Sequence, residues 1–319
     1  MTRGSACSVW LAALVLSGAA PAAVRAQDAS DDTLKFRVGV DTVSLSLTVL
    51  GENGRLVTGL PGDNFTVYED GVEQEIEYFA HDELPLRMVI LLDVSLSMRE
   101  RLGMAQEAAV RFVESLKPGD EVQAVEFGDR VLTLIEFTPH FTDVAAAIRS
   151  TKPAGATALY NAIYISLKDL EAYRSDEVDR RAIVVLSDGN DTRSVLSFED
   201  VKAQARKSNV IIYAISLRAR PADLEKEKYR NAKFELDLLA EESGGVSYAP
   251  AELKDLTGVY EDILEELKGQ YSVGYVSTHA ERDGKWRRLQ IISAAPGTRV
   301  RAREGYFAPR ESRLRRRVR

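Results

Sequence analysis

The spacing of hydrophobic residues changes twice along the chain and divides it into three zones. In the first zone, between Leu34 and Phe79, apolar residues nearly alternate with polar ones, as they do in strands with one buried face. Segments rich in Gly, Asn, Asp and Pro interrupt the alternation and suit tight turns. We therefore predict a β unit over residues 27–84, which is too small to bury both faces of its strands alone.

The middle zone, residues 85–268, alternates continuous apolar runs with helical patterns. The apolar runs occupy residues 88–92, 182–186 and 210–215. Runs without alternation are typical of parallel strands that are covered on both faces. Apolar residues at helical spacing occupy residues 102–116, 158–173 and 253–267. This zone therefore predicts an α/β fold with a doubly wound, mostly parallel sheet flanked by helices.

The last zone, residues 269–310, returns to short strands separated by turns. Because each terminal β segment is too small to form a core alone, we predict that the two pack together as a small β-sandwich-like domain beside the α/β domain. The aromatic residues of this zone are interpreted as core residues, with a carbohydrate platform as the alternative. They are Tyr271, Tyr275, Trp286 and Tyr306.

A basic tail follows over residues 311–319. It has five arginines between Arg313 and Arg319 and no acidic residue in that stretch. A solvated, frayed terminus and attraction to an anionic lipid or polysaccharide both agree with this composition.

The start of the chain has the pattern of a secretory signal peptide. Arg3 precedes an apolar stretch from Val9 to Leu16, and Val24-Arg25-Ala26 suits a signal peptidase that cuts before Gln27. We predict a signal peptide over residues 1–26 and an exported protein that is periplasmic, secreted or at the cell surface, with no membrane span after cleavage. An uncleaved anchor is the alternative, although the apolar stretch is shorter than the roughly 20 residues that a span needs.

Composition and charge limit the classes of function. With 45% hydrophobic and 29% charged residues, the chain has the composition of a folded protein. Its 42 basic and 49 acidic residues give a net charge of -7, which argues against nucleic acid as a partner. The only cysteine, Cys7, lies in the predicted signal peptide, so the mature chain has no thiol for a disulfide, a zinc site or a nucleophile.

Candidate chemistry begins where the first apolar run ends. Asp93 follows that run, and Ser95 and Ser97 come next at a spacing of two. An acidic residue at the carboxyl end of a buried strand lies where open α/β sheets bind ligands. Carboxylate and hydroxyl oxygens are hard ligands suited to Mg²⁺ or Mn²⁺.

Two further residues fit the same edge of the sheet. Thr157 lies just before a predicted helix, and Asp188 lies at the end of the second apolar run. Each residue alone has an ordinary structural alternative, because Thr157 and Asp93 could cap helices and Asp188-Gly189 could form a turn.

Together, these residues closely resemble the metal-ion-dependent adhesion site of the von Willebrand factor type A domain. The signature of that family is an Asp-x-Ser-x-Ser motif after the first strand, a Thr in a middle loop and an Asp in a later strand-end loop. The matching positions are Asp93, Ser95, Ser97, Thr157 and Asp188. The segments 65–71 and 305–309 also resemble the flanks of bacterial exported von Willebrand factor A-related domain proteins, so the resemblance covers nearly the whole predicted mature chain.

The resemblance implies a non-enzymatic protein-binding or adhesion module. In the family these side chains bind a divalent cation, here expected to be Mg²⁺, with Mn²⁺ and Ca²⁺ as alternatives. An Asp or Glu of a partner protein then completes the coordination, and its engagement can shift the site between low and high affinity. The loop residues expected at the partner-binding rim are Met98, Gly155, Gly189, Asn190 and Asp191.

Two other classes of function stay open at this point. In a structural envelope module, the metal would only staple loops together. In a metal-dependent hydrolase, it would activate water. Against the hydrolase, the sequence has no Gly-x-Ser-x-Gly elbow, Walker loop or dinucleotide motif. The histidines also lie outside the strand-end motifs, at His81, His140 and His279.

Overall fold

The computed structural model describes most of the chain after its first segment. The described residues are 42–81, 84–173, 179–188, 191–217, 227–279 and 281–310. The predicted signal peptide, the predicted rim residues Gly189 and Asn190, and the basic tail lie outside them. Within the described residues, no helix is both long enough and apolar enough to cross a membrane.

Strands lie at both ends of the described chain and alternate with helices between them. The strands are β1 (Thr42–Gly51), β2 (Phe65–Glu69), β3 (Val72–Gln74), β4 (Ile76–His81), β5 (Leu86–Asp93), β6 (Glu121–Phe127), β7 (Val131–Thr138), β8 (Arg180–Ser187), β9 (Ile211–Ser216), β10 (Ser247–Tyr248), β11 (Tyr271–Val276), β12 (Trp286–Ser293), β13 (Thr298–Arg301) and β14 (Gly305–Phe307). The α-helices are α1 (Leu102–Glu114), α2 (Phe141–Ser150), α3 (Leu159–Ala172), α4 (Phe198–Lys207), α5 (Glu227–Ser243) and α6 (Leu256–Gly269).

A six-stranded sheet with the order β10-β9-β8-β5-β6-β7 forms the centre of the fold. Its strands run parallel except β7, which pairs antiparallel with β6. Every residue of β5 is buried, with Met88 and Ile90 in the core on one face and Val89 and Leu91 in the core on the other. This burial on both faces explains the unbroken apolar run. The structure confirms the predicted doubly wound α/β fold.

Helices cover both faces of this sheet. Helices α1, α2 and α6 contribute to the core that contains Met88, and α3, α4 and α5 contribute to the core that contains Val89. Helix α1 buries an apolar stripe that includes Leu102, Ala105 and Ala109, at a spacing of three and four residues. It ends shortly before Pro118, because proline cannot continue a helix.

Two smaller antiparallel sheets combine strands from the two ends of the described chain. Their orders are β13-β1-β11-β4 and β14-β12-β2-β3. One core joins them, with alternate residues of β1 packed against residues of β2, β11 and β12. Of the aromatic residues interpreted as core, Tyr271 and Tyr275 are fully buried, whereas Trp286 and Tyr306 are half-buried.

A buried carboxylate links the two smaller sheets. Glu69, on β2, has no exposed surface. It accepts hydrogen bonds from the hydroxyls of Tyr275 at 2.7 Å and Ser277 at 2.7 Å, and from the hydroxyl of Tyr306 at 3.0 Å. Because Tyr275 belongs to β11 and Tyr306 to β14, this network ties the end of the chain to its beginning.

The connections after β5 and β8 leave the central sheet toward opposite faces. Strand β5 leads to α1 on one face, and β8 leads to α4 on the other. Such a divergence opens a crevice at the carboxyl ends of the strands, where open α/β sheets bind ligands. Asp93 and Ser187 are the last residues of these two strands and lie at this crevice.

Candidate metal centre

Asp93 ends β5, and hydrogen bonds hold both oxygens of its carboxylate. Ser187 Oγ donates to Asp93 Oδ2 at 2.6 Å, and the backbone N–H of Ser95 donates to Oδ1 at 2.8 Å. The side chain is fully buried. Because the residue at the N-cap of α1 is Arg101, the alternative of Asp93 as a helix cap is wrong.

The environment of Asp93 disfavours its charge. Burial raises the pKa of Asp93 from 3.8 to about 6, because desolvation penalises the carboxylate form. The hydrogen bonds from Ser187 and Ser95 lower this pKa, and the nearby charge of Asp188 raises it. No lysine, arginine or histidine among the described residues is paired with Asp93. A carboxylate buried in this way needs a proton or a cation to neutralise it.

The two serines of the motif lie side by side just after Asp93. Ser95 precedes a short 3-10 turn, Leu96–Met98, that contains Ser97. The two Oγ atoms are 2.9 Å apart, with Ser95 buried and Ser97 exposed. The turn therefore presents a pair of hydroxyls that runs from the interior to the surface.

A backbone hydrogen bond joins the loop that carries Thr157 to this turn. The N–H of Leu96 donates to the carbonyl of Gly155 at 3.1 Å. Thr157 is buried, and the residue at the N-cap of α3 is Ala158. The alternative of Thr157 as the cap of this helix is therefore wrong.

Asp188 directly follows the last residue of β8 and is half-buried. Strand β8 pairs in parallel with β5, and Leu186 lies opposite Leu92. This register brings Asp188 to the same edge of the sheet as Asp93, close enough for its charge to act on Asp93.

The residues predicted for the partner-binding rim differ in their surroundings. Met98 has no exposed surface and belongs to the core beside α1, so its assignment to the rim is wrong. Gly155 is half-buried with a φ of 73°. The carboxylate of Asp191 accepts hydrogen bonds from Tyr160 N at 3.0 Å and Ser194 Oγ at 2.6 Å, so it holds its own loop against α3.

Two residues outside the predicted set also support this site. The position of Ser187 beside Asp93 depends on the register between β5 and β8, and no local sequence pattern predicts that register. Asp129, on the loop after β6, accepts a hydrogen bond from Ala156 N at 2.9 Å. A Cβ atom on Gly155 would lie 2.3 Å from Asp129 Oδ2, so this loop needs glycine beside Asp129. The signal for both residues is their place at a strand end.

The donor set fits a hard divalent cation. Among the described residues, no group of three or more His, Cys, Asp or Glu side chains could hold a metal, so hydroxyl oxygens would have to contribute. Carboxylate and hydroxyl oxygens suit Mg²⁺, Mn²⁺ and Ca²⁺ rather than soft metals. The set predicted from the sequence, Asp93, Ser95, Ser97, Thr157 and Asp188, offers only such oxygens and stays a prediction.

Comparison with known proteins agrees with the fold. Residues 88–190 match the family model of the von Willebrand factor type A domain. A solved structure, von Willebrand factor type A from Catenulispora acidiphila, matches with a TM-score of 0.50 over 88% of this chain and 77% of its own, at 11% sequence identity. Residues 88–190 are therefore similar in sequence to the von Willebrand factor type A domain, and the central α/β region has the same fold as this solved structure.

Curated relatives cover more of the chain than the family model does. A UPF0353 protein of Mycolicibacterium paratuberculosis is 25% identical over 230 residues, which are 66% of this chain and 68% of the relative. A UPF0353 protein of Nocardia farcinica is 27% identical over 241 residues, which are 66% of this chain and 70% of the relative.

Proposed function

We propose that this chain is an exported, non-enzymatic protein-binding module that depends on a divalent cation. The observation that carries the proposal is the buried carboxylate of Asp93, which lies beside Asp188 without a basic partner among the described residues. Asp93, Ser95, Ser97, Thr157 and Asp188 would hold the cation. Mg²⁺ is the expected ion, with Mn²⁺ and Ca²⁺ as alternatives.

When bound, the cation would offer a Lewis-acidic position to an oxygen of a partner, for which an Asp or Glu side chain is suited. Asp93 and Asp188 at most balance the charge of a divalent ion, and the hydroxyls add no charge. The site would therefore keep its attraction for an external carboxylate. Ser187 and the N–H of Ser95 orient Asp93 for this role.

The positions of the histidines favour binding over hydrolysis. His279 contacts Glu69 in the smaller sheets, His140 precedes α2, and His81 packs on the ring of Tyr271. None of them lies at the carboxyl edge of β5, so no imidazole is in place as a general base.

The loops at this edge are joined by their own hydrogen bonds. The bond between Leu96 and Gly155 links the first two loops, and Thr192 N donates to Thr157 O at 2.9 Å to link the third. Since hydrogen bonds of the protein already connect these loops, a metal that only held them together would add little stability. This argues for a binding role over a purely structural one.

Titration calorimetry with MgCl₂ on the EDTA-treated full chain tests the metal site. We expect binding by the wild type, loss in Asp93→Ala, and retention in Asp143→Ala, which removes an exposed carboxylate from α2. Circular dichroism checks that each variant is folded. Equal binding by all three proteins would refute the proposed ligand set.

A peptide array tests the partner chemistry. Each peptide with an Asp or Glu is paired with its Asn or Gln counterpart, and binding is compared in Mg²⁺ and in EDTA. We expect selective, EDTA-sensitive binding of acidic peptides that Thr157→Ala loses. Metal binding without such selectivity would support the structural module, and Mg²⁺-dependent turnover of phosphate esters or peptides, abolished by Asp93→Ala, would support the hydrolase.

A further inference from the structure

A second candidate site lies along α6, formed by none of the proposed metal ligands. Helix α6, strands β10 and β13 and the segment after β1 enclose a cleft of about 640 Å³, here called the α6 cleft. Its acidic wall is Asp262, Glu265 and Glu266, and Tyr248 and Arg301 also line it. Its volume lies in the range of small-ligand sites, roughly 300–1,000 Å³.

Glu266 is a buried residue of the α6 cleft, and one oxygen of its carboxylate is already paired. The residue is 4% exposed, and its Oε1 accepts a hydrogen bond from the hydroxyl of Tyr213 at 2.8 Å. Arg301 forms an ion pair with the same oxygen. The other oxygen, Oε2, accepts no hydrogen bond from the described residues, so it is available to a ligand in the α6 cleft.

Acidic side chains outnumber basic ones in the α6 cleft, with three carboxylates and two guanidinium groups among its lining residues. Burial raises the pKa of the Tyr248 hydroxyl, the charges of Glu266 and Asp262 raise it further, and Arg301 lowers it. The exposed acids Asp262 and Glu265 have no ion pair within the described part of the chain. Arg301 is occupied by Glu266 and by the carbonyl of Gly244, to which its Nε donates at 3.2 Å.

The remaining wall of the α6 cleft is mainly apolar. Leu50, Leu56 and Val246 are half-buried there, and Arg55 is the basic residue on this side. An aliphatic stem can cover such a wall while its charged head reaches a polar group. The ring of Tyr248 can in addition attract a cation over its face.

We propose that the α6 cleft binds a lysine or arginine side chain of a basic peptide. The cationic head would meet Asp262 and the free oxygen of Glu266, and the stem would lie against Leu56 and Val246. A peptide fits better than an isolated small cation, because the acidic and apolar walls together match a charged head on a long stem. The proposal is independent of the metal site.

Fluorescence anisotropy with a labelled peptide that alternates Arg and Leu tests this proposal. The control peptide has citrulline in place of arginine, which keeps the shape and removes the charge. We expect the citrulline peptide to bind the full chain about tenfold more weakly. The chain that ends at Arg310 is measured in parallel, so that its own basic tail cannot mask the site.

Neighbouring residues on α6 provide a matched pair of variants. Asp262→Asn changes an acid that lines the α6 cleft, whereas Glu261→Gln changes the preceding acid, which faces a groove shared with α1. Both substitutions alter the net charge by the same amount. We expect about a fivefold loss of affinity in Asp262→Asn and less than about a twofold change in Glu261→Gln.

Non-specific attraction to an acidic chain would weaken binding equally in both variants, and that result would overturn the proposal. Equal affinity for the arginine and citrulline peptides, in the full chain and in the chain that ends at Arg310, would also overturn it. Both substituted residues are exposed, and circular dichroism confirms that the variants are folded before they are compared.

Discussion

The hydroxyl of Ser187 donates a 2.6 Å hydrogen bond to Oδ2 of Asp93 and so connects the last residues of two paired parallel strands. The pairing of Leu186 with Leu92 brings the two residues side by side. Asp188 follows Ser187 immediately, so the same register that orients Asp93 also delivers the second carboxylate. The geometry at this edge therefore depends on the pairing of β5 with β8.

Removing the Ser187 hydroxyl should weaken metal binding. The hydrogen bond favours the ionised form of Asp93, and a metal ligand must be ionised, so Ser187→Ala should raise the pKa of Asp93 further. We expect Mg²⁺ affinity to fall about tenfold, with the larger loss at the lower pH when titration calorimetry is done at pH 6.5 and 7.5.

Ser166→Ala is the control for this prediction. Ser166 lies on α3, and its buried hydroxyl has no hydrogen-bond partner in the part of the chain that the structure describes. This variant should bind Mg²⁺ like the wild type. Unchanged affinity in Ser187→Ala at both pH values would contradict the role given to Ser187.

The metal-free protein should lose stability as the pH rises from about 4 to about 6. The pKa of Asp93 is 3.8 before folding and about 6 in the folded chain. A raised pKa means that the folded state binds the proton more tightly than the unfolded state does. The resulting stabilisation is fully present below a pH of 3.8 and is lost as the pH rises through about 6. The loss is at most about 3 kcal/mol.

Urea unfolding of wild type and Asp93→Asn in EDTA isolates this effect, because the other titrating groups are common to both proteins. The variant should be the more stable protein at pH 7.5, and the difference should shrink toward pH 4. Added Mg²⁺ should stabilise only the wild type at pH 7.5. If the difference in stability grows as the pH falls, folding does not raise the pKa of Asp93.

Local patterns predict the fold well because a strand that is buried on both faces has a continuous run of apolar residues. The apolar run of β5 and the spaced apolar residues of α1 are examples that the structure confirms. The direction of a side chain within a short turn has no such pattern in the sequence. Met98 follows Ser97 in a polar segment, yet the 3-10 turn directs it into the core. The sequence does not predict the role of Ser187, because its hydrogen bond to Asp93 depends on the pairing of two strands that are distant in the sequence.

Gly155→Ala should disturb the loop that carries Thr157. Gly155 has a φ of 73°, and an added Cβ would lie 2.3 Å from Asp129 Oδ2. The positive φ strains any other residue, and the contact would displace the carboxylate that holds Ala156. We expect a loss of about 1–3 kcal/mol in the free energy of unfolding, measured in urea.

Gly103→Ala is the matched control for that glycine. Gly103 lies in α1, and a Cβ there would meet no atom of the described residues within 4 Å. Because alanine is the better helix former, this variant should be unchanged or more stable by up to about 1 kcal/mol. Equal destabilisation by both substitutions would show that the loss in Gly155→Ala does not come from the positive φ of Gly155 or from its contact with Asp129.

Glu69→Gln should destabilise the smaller sheets. Glutamine keeps the shape of Glu69 but offers one acceptor oxygen in place of two, so some of the hydroxyls of Tyr275, Ser277 and Tyr306 would lose their acceptor. Arg287, whose Nε lies 3.8 Å from Glu69 Oε1, would face a neutral group. Arg287 keeps its ion pair with Asp283 at 3.1 Å, so the loss comes mainly from buried hydroxyls without an acceptor. We expect the free energy of unfolding to fall by about 1–3 kcal/mol.

Glu73→Gln separates this effect from a change in net charge. Glu73 is exposed on β3, the strand that pairs with β2, and its substitution should change the unfolding free energy by less than about 0.5 kcal/mol. Urea unfolding followed by circular dichroism compares the two variants with the wild type. If Glu69→Gln is as stable as Glu73→Gln, the hydroxyl network does not stabilise the two sheets, and their shared apolar core must hold them together without it.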